Sequence, residues 1–120
     1  MVKRGLLFAV PVLVLLIGYG LSAAADAPSA FNSCKACHAV VAGKNMIGPS
    51  LFGVVGRKAG AVEGYRYSAA MMKVGTLDPA TLTKFLADPK ATVPGNKMAF
   101  PGVKKPEDVK AVVDYLGTLK

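Results

Sequence analysis

Cys34 and Cys37 stand three residues apart and His38 follows at once, in the run Cys34-Lys35-Ala36-Cys37-His38. This Cys-x-x-Cys-His spacing is the attachment signature of a covalent c-type haem. On one helical turn the two thiols share a face. Each can form a thioether to a porphyrin vinyl group, and the next residue presents an imidazole to the iron. Rival chemistries lack parts. A structural zinc needs four soft or imidazole ligands, but the chain of 120 residues holds two cysteines and one histidine. A thioredoxin-like dithiol belongs beside a βαβ pattern, and none is visible. The cofactor expected is one covalent haem c, with its iron bound on one side by His38.

The other side of the iron separates a carrier from a catalyst. A His/Met pair raises the reduction potential and suits outer-sphere electron transfer, whereas an open, polar distal side suits an enzyme or a small-ligand sensor. No second histidine exists to furnish such a side. Beyond the initiator the thioethers are Met46, Met71, Met72 and Met98. Met71 and Met72 fall in a helical stretch and read as core filler, and Met46 in a glycine-bounded loop. Met98 sits in Pro94-Gly95-Asn96-Lys97-Met98-Ala99-Phe100-Pro101-Gly102, where bent backbone can aim a sulfur. Loop context alone leaves it open between ligation and packing.

The elements that must position these groups are short helices. A helix is expected over Ala27 to Ala39, starting near Pro28-Ser29. Gly43, Gly48-Pro49, Gly53, Gly56, Gly60 and Gly64 then predict a long loop region, followed by a short helix from Tyr67 to Val74 that ends at Gly75. Asp78-Pro79 is an N-cap with proline at the first helical position, and Leu82, Phe85 and Leu86 form an apolar stripe that stops before Pro89. A second loop is expected through Pro94, Gly95, Pro101 and Gly102. Pro106-Glu107-Asp108 opens a last helix with Val109, Val112, Val113 and Leu116 on one face. The pattern predicts an all-α domain of three to five helices, with long loops that can bury their apolar side chains against a haem.

The amino end reads as an export segment. Lys3 and Arg4 precede 21 uncharged residues from Gly5 to Ala25, with Leu6, Leu7, Phe8 and Val12 to Ile17 as the apolar middle and a small-residue exit at Ala23 and Ala25. Cleavage after Ala25 is favoured, with an uncleaved membrane anchor as the other outcome. Residues 1–25 are thus a signal or anchor and 26–120 the domain, delivered to the periplasm, where tethering to the outer face of the inner membrane would follow from retention. An oxidising compartment suits paired thiols. A domain of this size is marginal with a protein-only core, and a haem supplies apolar bulk. Without Lys3 and Arg4 the charge is 13 − 7 = +6. No nucleic-acid motif accompanies it, so it reads as a docking field for acidic protein partners of a monomer.

Taken in order, Cys34 to His38, Gly48-Pro49-Ser50-Leu51-Phe52-Gly53, Gly56-Arg57-Lys58-Ala59-Gly60, Gly64-Tyr65-Arg66-Tyr67-Ser68, Leu82 to Pro89, Pro94 to Met98 and Val112 to Leu116 resemble the cytochrome c family, small bacterial single-haem kind. The resemblance spans the domain. It implies the cytochrome c fold around one haem, with Cys34 and Cys37 as attachment points and His38 and Met98 as axial ligands. It also implies that the Pro49 carbonyl accepts a hydrogen bond from the ligand histidine, that Arg57 and Tyr67 meet a propionate, and that Phe31 and Tyr115 join the first and last helices. The activity implied is one-electron carriage between respiratory or photosynthetic membrane complexes, a reductase and an oxidase or reaction centre, rather than enzymatic turnover. Lys97, Lys35, Lys44, Lys90, Lys104 and Lys105 resemble the ring of lysines around the haem edge. The chain departs from the family's common pattern at a propionate-binding tryptophan, near whose place Leu77 stands, and at Phe85 and Met71, which replace a frequent tyrosine and asparagine and predict a drier pocket.

Overall fold

Four α-helices and one 3-10 turn carry the fold in the computed structural model, which describes residues 26–120 and, before them, Gly5, Ala9 and Pro11. The export segment expected over 1–25 otherwise lies outside the described residues. The 3-10 turn spans Ser29–Ser33, and α1 Ala69–Met72, α2 Pro79–Ala87, α3 Pro89–Thr92 and α4 Pro106–Gly117 follow. No helix among the described residues is long and apolar enough to cross a membrane. The all-α expectation holds.

Each helix starts where a side chain or a proline relieves its free N–H groups. Ser68 caps α1 by accepting from the Met71 amide, and Asp78 caps α2 by accepting from Thr81 at 2.7 Å. Pro106 occupies the first turn of α4, with Glu107 and Asp108 against its positive end. Two helices are shorter than the sequence predicts. The expected helix over Ala27 to Ala39 is a 3-10 turn of five residues, because the chain beyond Cys34 continues as hydrogen-bonded turns that place Cys37 and His38. The helix expected from Tyr67 to Val74 is the four residues of α1.

One element was expected as loop. Asp88 accepts from the Ala91 amide at 3.1 Å and opens α3, with Pro89 in its first turn. This is the same Asp-Pro start that opens α2 ten residues earlier. Pro89 ends α2 and begins α3 at once, and it is among the most deeply buried residues.

The core forms where α2 and the 3-10 turn pack on α4. Val109, Val112, Val113, Tyr115 and Leu116 of α4 are buried, facing Leu82, Phe85 and Leu86 of α2. Phe31, 1% exposed, meets Tyr115 edge to face at 4.8 Å between ring centres, which seals the first element to the last. The long middle loop is held by a short ladder in which Gly56 N–H donates to Leu77 C=O, Leu77 N–H to Arg57 C=O, and Ala59 N–H to Gly75 C=O, each at 2.8 Å. The Lys58–Thr76 bridge is the strand-like piece of that ladder.

A cavity between two thiols, an imidazole and a thioether

The Cys34 carbonyl accepts from both the Cys37 amide, at 3.2 Å, and the His38 amide, at 3.0 Å. These two bonds make the helical turn on which the thiols and the imidazole are displayed together. Both cysteines are free, Cys34 buried and Cys37 half-buried. Burial pushes the Cys34 thiol above the ordinary cysteine range.

A second stretch is clamped alongside this turn. Gly48 N–H donates to the Cys37 carbonyl at 2.7 Å and Leu51 N–H to the Ala39 carbonyl at 2.9 Å. Pro49 lies between these two fasteners, and its carbonyl accepts from His38 Nδ1 at 2.8 Å. With the proton on Nδ1, the lone pair of the neutral ring sits on Nε2, the nitrogen left for a metal. Burial holds His38 below the ordinary imidazole range, and the nearby Arg57 charge adds to this against the pull of the Pro49 bond. The approach leaves no room for a side chain at Gly48. A Cβ there would lie 2.6 Å from Nδ1 and 2.8 Å from Nε2 of His38.

The loops are tied by side chains that sequence reasoning did not assign. Asn45 Nδ2 donates to the Glu63 carbonyl at 3.0 Å, and its Oδ1 accepts from Ser50 N–H. Ser50, 2% exposed, donates to the Val41 carbonyl at 2.6 Å. Tyr65 O–H donates to the Ile47 carbonyl at 3.0 Å. Polar residues in a glycine-rich loop carry no periodic signal. Their only sequence mark is that such a loop must satisfy its buried backbone groups somehow.

Arg57 is positioned by the ladder to Leu77 and by its own Nη1, which donates to the carbonyls of Ser50 and Phe52 at 3.1 and 3.0 Å. Its Nε is buried without a partner among the described residues. Burial pulls the guanidinium below its ordinary range, a cost that an anion at Nε would offset. Tyr67 accepts from Val62 N–H at 3.2 Å and stacks edge to face on Tyr65, and its own hydroxyl proton remains to be given.

On the carboxyl side, Met98 follows α3 in an extended loop. Cys34, Cys37, His38, Pro49, Arg57, Tyr67 and Met98 all line one cavity of about 240 Å³. The remaining wall is mainly apolar, from Phe31, Leu82, Phe85, Leu86, Phe100 and Val112 among others. Met71, expected as core filler, also faces this cavity while packing on the core. Met46 and Met72 are exposed. No group of three or more His, Cys, Asp or Glu side chains that would hold a bare metal ion occurs among the described residues.

The donor set fits an iron porphyrin. It combines paired thiols on one turn, a neutral imidazole, a thioether, a mainly apolar enclosure, and a buried cationic N–H without a partner among the described residues.

Residues 24–120 match the family model described as Cytochrome c. The chain is 62% identical over 97 residues to cytochrome c2 iso-2 of Magnetospirillum molischianum, covering 80% of this chain and 100% of that one. It is 63% identical over 99 residues to cytochrome c2 iso-1 of Magnetospirillum fulvum, with the same coverage. Among solved structures it resembles cytochrome cH from Methylobacterium extorquens, at 52% identity and a TM-score of 0.70, covering 74% of this chain and 91% of that chain.

Proposed function

The chain belongs to the cytochrome c family, and we propose that it is an exported electron carrier whose single covalent haem c is held by Cys34 and Cys37 and ligated by His38 and Met98. Haem c supplies one electron at a time, taken up and released at iron. What the chain contributes is attachment, orientation, enclosure and charge. The observation that carries the residue assignments is that the two thiols, the His38 imidazole and the Met98 thioether line the same cavity.

Each role follows from a local cause. Pro49 holds His38 as the Nδ1–H tautomer, fixes the ring plane and makes Nε2 a stronger donor. His38 and Met98 would ligate the iron, and a His/Met pair leaves no place for small ligands. The mainly apolar wall would keep water from the iron. Arg57, through its unpartnered Nε, and Tyr67, through its phenolic hydroxyl, would hold a propionate.

The chain exchanges electrons with redox partners, and the finer reading is that these present acidic patches. Lys35, Lys44, Lys90, Lys97, Lys104 and Lys105 are all exposed, and the charge of +6 after removal of Lys3 and Arg4 supports fast, salt-sensitive encounter. The basic start, apolar middle and Ala23/Ala25 exit of residues 1–25 support delivery to the periplasm. Mass spectrometry of the exported protein tests attachment. The expected mass is that of the chain plus one haem, retained under denaturing conditions and lost in Cys34→Ala/Cys37→Ala. A haem extracted by acidified solvent from the native protein would refute it.

A further inference from the structure

We infer that Asn96 is the positioning residue that aims Met98, a step that rests on the reading of Met98 as an iron ligand. The Asn96 side chain makes three bonds. Its Nδ2 donates to the carbonyls of Pro89 and Val93, each at 2.9 Å, and its Oδ1 accepts from the Met98 amide at 2.8 Å. Both amide hydrogens are spent on the two ends of α3. The oxygen is spent on the ligand's own backbone, two residues on, in an Asx-turn. Turning the amide over would set its oxygen against two carbonyl oxygens and its N–H against an N–H, so one orientation alone is satisfied.

The anchor behind this clamp is rigid. Pro89 is among the most buried residues of the chain, and α3 packs on α2. Beyond Met98 the strand of loop is fastened again. Val103 N–H donates to the Leu86 carbonyl at 2.8 Å, and Gly102, at φ +111°, lies so close to Ala87 that a Cβ would strike its backbone. Between the two fasteners, among the described residues, the Met98 backbone makes one further bond, from the Phe100 amide to the Met98 carbonyl. A neutral thioether is a single weak donor whose hold on a metal is limited by how often its loop swings away. Local openings of that kind are governed by the few bonds that fasten the segment. Among the described residues, Asn96 supplies the only side-chain bond to the Met98 backbone.

Glycine, proline and lysine beside Met98 do other work. Gly95 turns the chain at φ +88°, Pro94 ends α3, and Lys97 is exposed. None of them donates to or accepts from the Met98 backbone.

The test uses the holoprotein and reads ligand exchange at iron rather than electron transfer. In the oxidised state, imidazole is added and the rate of loss of the iron-to-methionine-sulfur charge-transfer band is followed. Asn96→Ala is expected to raise that rate at least tenfold. Asn96→Asp, which keeps an acceptor for the Met98 amide but sets a carboxylate oxygen against the Pro89 and Val93 carbonyls in place of both donors, is expected to raise it beyond twofold as well. Val113→Ala on α4, remote from the loop, lowers the unfolding midpoint and serves as the control, with an unchanged exchange rate. Rates within twofold of the parent for both Asn96 variants would overturn the inference, and Asn96→Asp alone decides if Asn96→Ala does not fold. An exchange rate raised equally in Val113→Ala would overturn it as well. Met98→Ala separates the premise. Loss of the band there upholds Met98 as ligand whatever Asn96 does, and its retention overturns both.

Discussion

His38 Nδ1 lies 2.8 Å from the carbonyl oxygen of Pro49, and no side chain could be added to Gly48 without entering the same imidazole. The ring is therefore held on one edge by a hydrogen bond and on one face by bare backbone. Gly48→Ala is expected to displace the ring or the backbone and to lower stability by about 1–3 kcal/mol, as overpacking does. Gly117→Ala is the comparison, since a Cβ there meets nothing within 4 Å and alanine favours the helix end it occupies. Denaturant midpoints of the two variants check this, and equal midpoints would contradict it.

Arg57 carries a buried Nε with no partner among the described residues. If a propionate completes it, Arg57→Leu leaves that carboxylate uncompensated. An unpaired negative charge favours the ferric state, which carries one more positive charge, so the reduction potential falls. The expected drop is roughly 30–60 mV, a three- to tenfold change in a one-electron equilibrium. A redox titration reads it directly. An unchanged or raised potential would remove the propionate from Arg57.

The edge-to-face contact of Phe31 with Tyr115 joins the first element to α4. Phe31→Ala empties a site that is 1% exposed and should cost about 3–5 kcal/mol. The band pattern of the folded fraction should stay unaltered, because the fold loses stability while the ligands remain.

Encounter with an acidic partner should weaken with salt. The exposed lysines act over about 10 Å at 0.1 M salt and less above it, so the bimolecular rate with a partner complex is expected to fall several-fold as ionic strength rises from low to physiological values. Stopped-flow mixing measures it. A rate independent of salt would mean that the lysines serve solubility alone.

Much of the site was legible because its chemistry is written in contiguous residues. Cys34 to His38 is one turn, and its meaning does not depend on packing. The α2 and α4 stripes were equally plain, since Leu82, Phe85 and Leu86, and Val109, Val112, Val113 and Leu116, recur at helical spacing and all are buried. Met98 was harder. A lone methionine in a loop has no periodicity, and the resemblance to a family singled it out where its own context did not. What could not be read is what holds the loops. Asn45, Ser50 and Asn96 act through bonds to backbone groups that come close only after folding, and α3 hid behind a proline read as a stop, although Asp88-Pro89 repeats the start signal of Asp78-Pro79.

If His38 and Met98 together close the iron, the sixth position is barred to small ligands. An optical spectrum of the reduced holoprotein with and without carbon monoxide tests it most directly, with Met98→Ala alongside. Sharp six-coordinate c-type bands that carbon monoxide leaves unchanged are expected in the parent, and ready binding of carbon monoxide once Met98 is removed. Binding of carbon monoxide by the parent at the rate of the variant would show an open sixth position and remove Met98 from the iron.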